Sequence, residues 1–252
     1  MCTLAFVLRP APGIAFAASG NRNEFLARPA REPMVERGFM TALLPRDLRS
    51  GGTWLGLNAH GLFVCLTNRR GAVLDPGRVS RGQLVVEALR STSAAAIREW
   101  IAGVPANRHN GYHLLFTDGS EAGVAVCDGT RLQMRVVRDG ELTVVTERTY
   151  GAGEGLREAE VWRECHPLFI GDDLSAAKLR PPMQQHGQMP LEGACVHADD
   201  LGYGTRSSIQ LVVRDDRTVE MLWTEGHPCT AEAIDYGAQA TALLASQVIS
   251  SS

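Results

Sequence analysis

The residue in this chain best placed to do chemistry is Cys2. The sequence begins Met1-Cys2-Thr3-Leu4-Ala5-Phe6-Val7-Leu8. An aminopeptidase removes an initiator Met ahead of a small residue, and Cys is small. The thiol and an α-amine would then share one residue, giving a nucleophile with its own base. Position alone does not decide the matter, because a free cysteine at a strand start ordinarily packs as a small hydrophobe. The tetrad Asn21-Arg22-Asn23-Glu24 adds weight. Residues 2–8 read as a strand, Pro10-Ala11-Pro12-Gly13 as a turn and residues 14–19 as the returning strand. A hairpin about residues 11–12 sets Cys2 opposite residues 20–22. Groups able to hold an N-terminal amine then stand beside the thiol.

Further elements must position these residues. Both faces of residues 2–8 are largely apolar, the mark of a strand covered on both sides. Residues 28–50, rich in Arg, Pro and Glu and without a clear period, read as a long ordered loop. Gly51 to Asn58 leads through Ala59-His60-Gly61 into Leu62 to Arg70, a second tight hairpin. Its second strand ends in Asn68, a neutral donor at the edge of the core. Apolar residues at helical spacing over 80–104 predict two helices with a break at Ser91-Thr92. A strand meander follows over 112–117, 123–127, 132–138 and 141–147. Its turns are Asp118-Gly119, Asp128-Gly129 and Asp139-Gly140. A short helix is expected near 156–165 and a mobile stretch over 178–190. Strands follow over 194–198, 207–214 and 219–225, and an Ala-rich helix over 231–246. This order suits an α+β fold of two antiparallel sheets flanked by helices, a single domain over 1–252 with 226–252 as a C-terminal extension.

Composition narrows the function. The chain has 252 residues, 44% hydrophobic and 21% charged, with a formal net charge of −3 and no basic stripe interleaved with aromatics. Nucleic acid is therefore not an expected partner. No apolar stretch is long enough to cross a bilayer. The N-terminus lacks the charged start of a signal peptide, so a cytoplasmic location is expected. Six cysteines without a CxxC pair read as reduced thiols, mostly buried.

Five stretches, in order along the chain, carry a resemblance. They are Met1-Cys2-Thr3-Leu4, the run from Asn21 to Pro29, Gly51-Gly52-Thr53-Trp54-Leu55-Gly56-Leu57-Asn58, Leu66-Thr67-Asn68, and Tyr203-Gly204-Thr205-Arg206-Ser207-Ser208. Together they resemble the NRDE family, which includes the transport and Golgi organisation protein 2 group. That resemblance implies the N-terminal-nucleophile (Ntn) hydrolase fold, a four-layer αββα sandwich, and distant kinship with cysteine-type bile-salt and penicillin V acylases. It also implies a mechanism on a small-molecule amide or thioester. The Cys2 thiolate attacks the carbonyl, and the Cys2 amine, with a reference pKa near ~8, moves the proton. In that mechanism Asn68 donates to the oxyanion, Arg22 fixes the terminus or substrate by charge, and Arg206 is a second cation near the pocket. Two positions depart from the family pattern. Asn23 stands where the family tetrad carries Asp, and residues 149–154 lack the Asn of the family's Gly-Leu-Ser-Asn stretch. Two outcomes stay open: a changed hydrolase, or a binding protein for haem or an acyl ligand on the same fold.

Other sites carry less. Cys165-His166 and Cys195-x-His197 match no standard zinc spacing, and no metal or cofactor is expected. His60, His109 and His113 read as surface or satisfied residues. No glycine pattern marks a phosphate loop. Oligomeric state is not legible.

Overall fold

Residues Cys2–Leu8 form the first strand of the computed structural model, which describes residues 2–72, 74–153, 155–169 and 173–249, with side chains to 246. Met1, and with it the question of its removal, lies outside the described residues. The first half of the chain contains β1 (Cys2–Leu8), β2 (Ile14–Phe25), β3 (Ala30–Glu36), β4 (Ala42–Asp47), β5 (Leu55–Asn58), β6 (Phe63–Asn68), α1 (Arg81–Ala88), α2 (Ala94–Ala102), β7 (Tyr112–Thr117) and β8 (Ala122–Cys127). There follow β9 (Leu132–Val137), β10 (Thr143–Thr146), α3 (Leu156–Phe169), α4 (Arg180–Met183), β11 (His197–Ala198), β12 (Tyr203–Arg214), β13 (Val219–Glu225), β14 (Ile234–Asp235) and α5 (Gly237–Ile249). These make two antiparallel sheets flanked by helices. They fall into two compact units, Met1–Arg28 with Asp139–Thr241 and Pro29–Arg138 with Ala242–Ser252.

The first unit holds a sheet in the order β10-β1-β2-β12-β13-β14, with β11 paired to β12. Alternate residues of the central strands, Ala5, Val7, Ala17 and Val212, pack against Val161, Cys165 and Phe169 of α3 and against Leu179 and Met183. The α3 residues recur every four positions, the stripe a helix needs to lie on a sheet. Within residues 178–190, expected to be mobile, the first part is held down. Leu179 and Met183 are fully buried, and Ser19 Oγ donates to the Leu179 carbonyl at 2.9 Å.

The second unit holds a sheet in strict chain order, β3-β4-β5-β6-β7-β8-β9. Its core joins Leu44, Val64, Leu114, Phe116 and Ala125 to Leu84, Val85 and Ala88 of α1 and Ile97 and Ile101 of α2. Both helices start at serine caps: Ser80 Oγ accepts from Gly82 N at 3.3 Å, and Ser93 Oγ from Ala96 N at 3.1 Å. Gly61, at φ 92°, makes the turn between β5 and β6 that a Cβ would strain.

Two further expectations are corrected. Residues 28–50 are not a loop but contain β3 and β4. β3 is an edge strand, and the register shift between Arg31 and Met34 takes up Pro33. Edges and bulges are where a sheet tolerates proline and exposed charge, which erases the alternation that marks a strand. The Asp139-Gly140 turn does not extend the meander. β10 leaves the second sheet and pairs with β1 in the first, Thr3 opposite Thr146.

Candidate functional site

The register of three strands builds the site. β1 pairs with β2 so that Cys2 lies opposite Arg22, as the hairpin expectation required. β2 pairs in turn with β12, Arg22 opposite Ser207 and Asn23 opposite Thr205. The register slips between Thr205 and Ser207, which leaves Arg206 as the extra residue of a bulge. Such a bulge bends the strand and re-aims its side chain. Cys2 is half-buried, Arg22 and Asn23 are buried and Arg206 is half-buried.

Polar contacts fix these side chains. Thr205 Oγ1 donates to Asn23 Oδ1 at 2.7 Å and accepts from Val196 N at 2.8 Å. Tyr203 Oη donates to the Asn23 carbonyl at 2.8 Å. Burial, then the negative charge that Cys2 and Glu24 can carry, push the Tyr203 hydroxyl up, so it stays a donor across the physiological range. Arg22 Nη2 lies 4.0 Å from Glu24 Oε2. Arg206 Nη2 lies 3.5 Å from Glu225 Oε1, and its Nη1 donates to the Leu26 carbonyl. Burial pushes the Glu225 carboxyl up, against the pull of Arg206 and Arg22. Asn21 is a tether, since its Nδ2 donates to the Met183 and Ala194 carbonyls at 2.8 and 2.9 Å.

The other flank of Cys2 was not foreseen. Thr146 ends β10 opposite Thr3, so Glu147 follows at the level of Cys2. Its buried carboxylate pairs with Arg157 Nη1 at 3.0 Å, and Arg148 Nε is 3.7 Å away. Nothing in the spacing of Glu147 and Arg157 marks a pair between a strand end and a helix. A cavity of about 60 Å³ opens over it. That is well below the ~300 Å³ at which ligand pockets begin. Asn68 closes β6 in the second unit, opposite Tyr112. The other four candidates, Cys2, Arg22, Asn23 and Arg206, share the first unit.

Three of the other cysteines are poorly suited to attack. Burial holds the Cys127 thiol up and pushes Cys165 and Cys195 up to about 12. His109 Nδ1 is 3.0 Å from the Val79 carbonyl and His113 Nδ1 3.1 Å from Thr67 Oγ1, so each buried ring is held through its Nδ1. Cys195 and His197, read in sequence as scattered, instead meet His186 and Cys229. A four-residue cluster drawn from positions 186 to 229 has no local spacing to reveal it.

Comparison with known proteins places this geometry. The family model Transport and Golgi organisation 2 matches residues 1–162. The chain belongs to this family. The Transport and Golgi organization protein 2 homolog of Bos taurus is 30% identical over 86% of the chain and 90% of its own length. The Homo sapiens homolog is 28% identical over 65% of the chain and 60% of its own. Among solved structures, a variant of the conjugated bile acid hydrolase from Clostridium perfringens superposes with a TM-score of 0.56 at 12% identity, over 94% of this chain and 93% of that one. Penicillin V acylase from Agrobacterium tumefaciens does so with a TM-score of 0.51 at 13% identity, over 92% and 86%. This Transport and Golgi organisation 2 family member thus has the Ntn-hydrolase fold. Cys2, Arg22, Asn23 and Asn68 lie inside the family match, and Arg206 and the His/Cys cluster lie beyond it. Among the described residues, no helix is long and apolar enough to cross a membrane.

Proposed function

We propose that the protein is an N-terminal cysteine hydrolase or acyltransferase, acting on a small-molecule amide or thioester through an acyl-enzyme on Cys2. One observation carries this reading: the paired registers that set Cys2 against Arg22, and Arg22 against the β12 bulge holding Arg206. The Cys2 sulfur attacks the substrate carbonyl. Its own α-amine takes the thiol proton and returns it to the leaving nitrogen or sulfur. Water or an acceptor amine then attacks the thioester and releases Cys2. Arg22 and Arg206 supply positive charge at this end of the sheet, with Glu24 and Glu225 as their counterions. The fold neighbours named penicillin V acylase and bile acid hydrolase support a C–N bond as the target.

The test is mass spectrometry of the purified chain before and after a p-nitrophenyl acyl ester. The expected result is a chain beginning at Cys2 that gains one acyl group on its N-terminal peptide, and gains none as Cys2→Ala. Retention of Met1 in protein that still turns over the ester would overturn the mechanism.

A second reading is ligand carriage without hydrolysis, the ligand being haem or an acyl group. What favours it is Asn23, a neutral side chain whose Oδ1 already accepts from Thr205. It gives a Cys2 ammonium no countercharge. Haem titration separates the two readings, since a carrier shifts the Soret band at micromolar haem and keeps that shift as Cys2→Ala.

A further inference from the structure

Away from Cys2, the first unit brings together a set of ligands typical of a metal site. His186, Cys195, His197 and Cys229 each offer one ligand atom, and these atoms all lie within 4.8 Å of one another. Cys195 Sγ is 3.6 Å from Cys229 Sγ, and His197 Nε2 is 3.1 Å from Cys229 Sγ. A tetrahedral zinc with Zn–S near ~2.3 Å and Zn–N near ~2.0 Å sets its ligand atoms roughly 3.3–3.8 Å apart. The sulfurs are far outside the ~2.05 Å of a disulfide. From these distances we infer that His186, Cys195, His197 and Cys229 form a structural site for a zinc-type divalent ion.

The chain is arranged to deliver these four groups. An isolated antiparallel bridge pairs His186 with Gly193, and Cys195 N donates to the Gln185 carbonyl at 2.9 Å. That fold-back carries His186 to Cys195. His197 begins β11 and pairs with Gly204 of β12. Cys229 comes from the turn after β13, where Thr230 N and Ala231 N donate to the His227 carbonyl at 3.1 and 2.9 Å. Gln184 Nε2 ties that turn to the first segment through the Pro228 carbonyl at 2.8 Å. Three separate segments thus converge on one point.

The surroundings fit an occupied site. His227 stacks on the His197 ring, centroids 3.8 Å apart, with its Nε2 3.7 Å from Asp199 Oδ1. Only glycine at position 204 leaves room for it, because a Cβ there would lie 2.7 Å from His227 Cε1. Packed this way, His227 limits the rotation of the His197 ring. Two sulfur and two nitrogen donors in tetrahedral reach select zinc over harder cations. Binding releases the two thiol protons to solvent, so the dication meets two thiolates and two neutral imidazoles. The site anchors the start of β12, the strand that carries Thr205 and Arg206.

Cobalt(II) is the probe. It is titrated into the reduced, metal-stripped, full-length chain and followed by absorption. The expected result is a thiolate-to-cobalt charge-transfer band with tetrahedral ligand-field bands, saturating at one equivalent and bleached by one equivalent of zinc. The bands should persist as Cys2→Ala, so failure here and failure of the Cys2 mechanism are distinguishable. They should disappear as Cys229→Ser and His197→Gln. Absence of the charge-transfer band in the wild-type chain, which needs no variant to fold, would overturn the site. So would bands that survive in the Cys195→Ser, Cys229→Ser double variant, or a Cys195–Cys229 disulfide found in protein purified without air.

Discussion

At the scale of single residues, the candidate site is organised by what Asn23 can and cannot do. A carboxylate there would stabilise a Cys2 ammonium, whereas the amide present carries no charge. If the Cys2 amine is the base, Asn23→Asp should raise its pKa, because an adjacent negative charge favours the protonated form. The acid limb of the kcat/KM profile should then move to higher pH. An unmoved limb would remove the amine from the mechanism. Thr205 is the partner to probe for stability. Thr205→Val strips the donor from Asn23 Oδ1 and the acceptor from Val196 N, all in a buried setting. A loss of about 1–3 kcal/mol is expected by denaturant unfolding. On the far flank, Glu147→Gln leaves the Arg157 guanidinium buried against a neutral group. Uncompensated buried charge typically costs about 3 kcal/mol or more, which thermal unfolding would register. Cys2, Arg22 and Asn23 were legible because a short connection between neighbouring strands fixes their register closely by counting alone. Glu147 and Arg157 were not, since they reach the site through the pairing of β1 with the distant β10.

At the scale of elements, legibility followed pattern. β5, β6, β7, α1 and α2 carry periodic apolar residues and turn or cap signals, so sequence locates them closely. β3 carries charges instead. Arg31 and Arg46 stand directly opposite one another across β3 and β4, a like-charge pairing that destabilises a sheet. Glu36 offsets it, accepting from Arg46 Nε at 2.8 Å and from Arg31 Nη2. The hydrogen bond from Arg46 and the charges of both arginines hold the Glu36 carboxyl below its usual range, outweighing its partial burial. A depressed carboxylate stabilises the fold above its unfolded pKa of about 4.3 and loses that contribution as pH falls through its lower folded value. Glu36→Gln should therefore cost on the order of 1 kcal/mol near neutral pH, discounted for solvent screening. The gap to wild type should close in acid. A constant gap from pH 7 down to pH 3 would mean that shape, not charge, holds this edge.

At the scale of the whole molecule, the two sheets differ in how far apart in the chain their partners lie. Every strand of the β3–β9 sheet pairs with its sequence neighbour. The sheet that holds Cys2 joins β1 and β2 to β12, so that Thr205 bonds Asn23 across 182 residues. This asymmetry explains why the meander was readable up to its last member. Local hairpins announce themselves through Asp-Gly turns, but the same dipeptide at 139–140 marks the return to a sheet begun at residue 2. No local pattern distinguishes the two uses. The same asymmetry bears on folding, because long-range pairing must meet its loop-closure cost before any contact offsets it. Amides of β5 to β8 should accordingly gain protection in pulsed hydrogen exchange before those of β2 and β12. Earlier or simultaneous protection of β2 and β12 would show that the long closure is not the slow step. If the expected order is found, Arg22 and Arg206 come together only in the last stage of folding, and a chain stalled before β12 docks has its thiol but not its site.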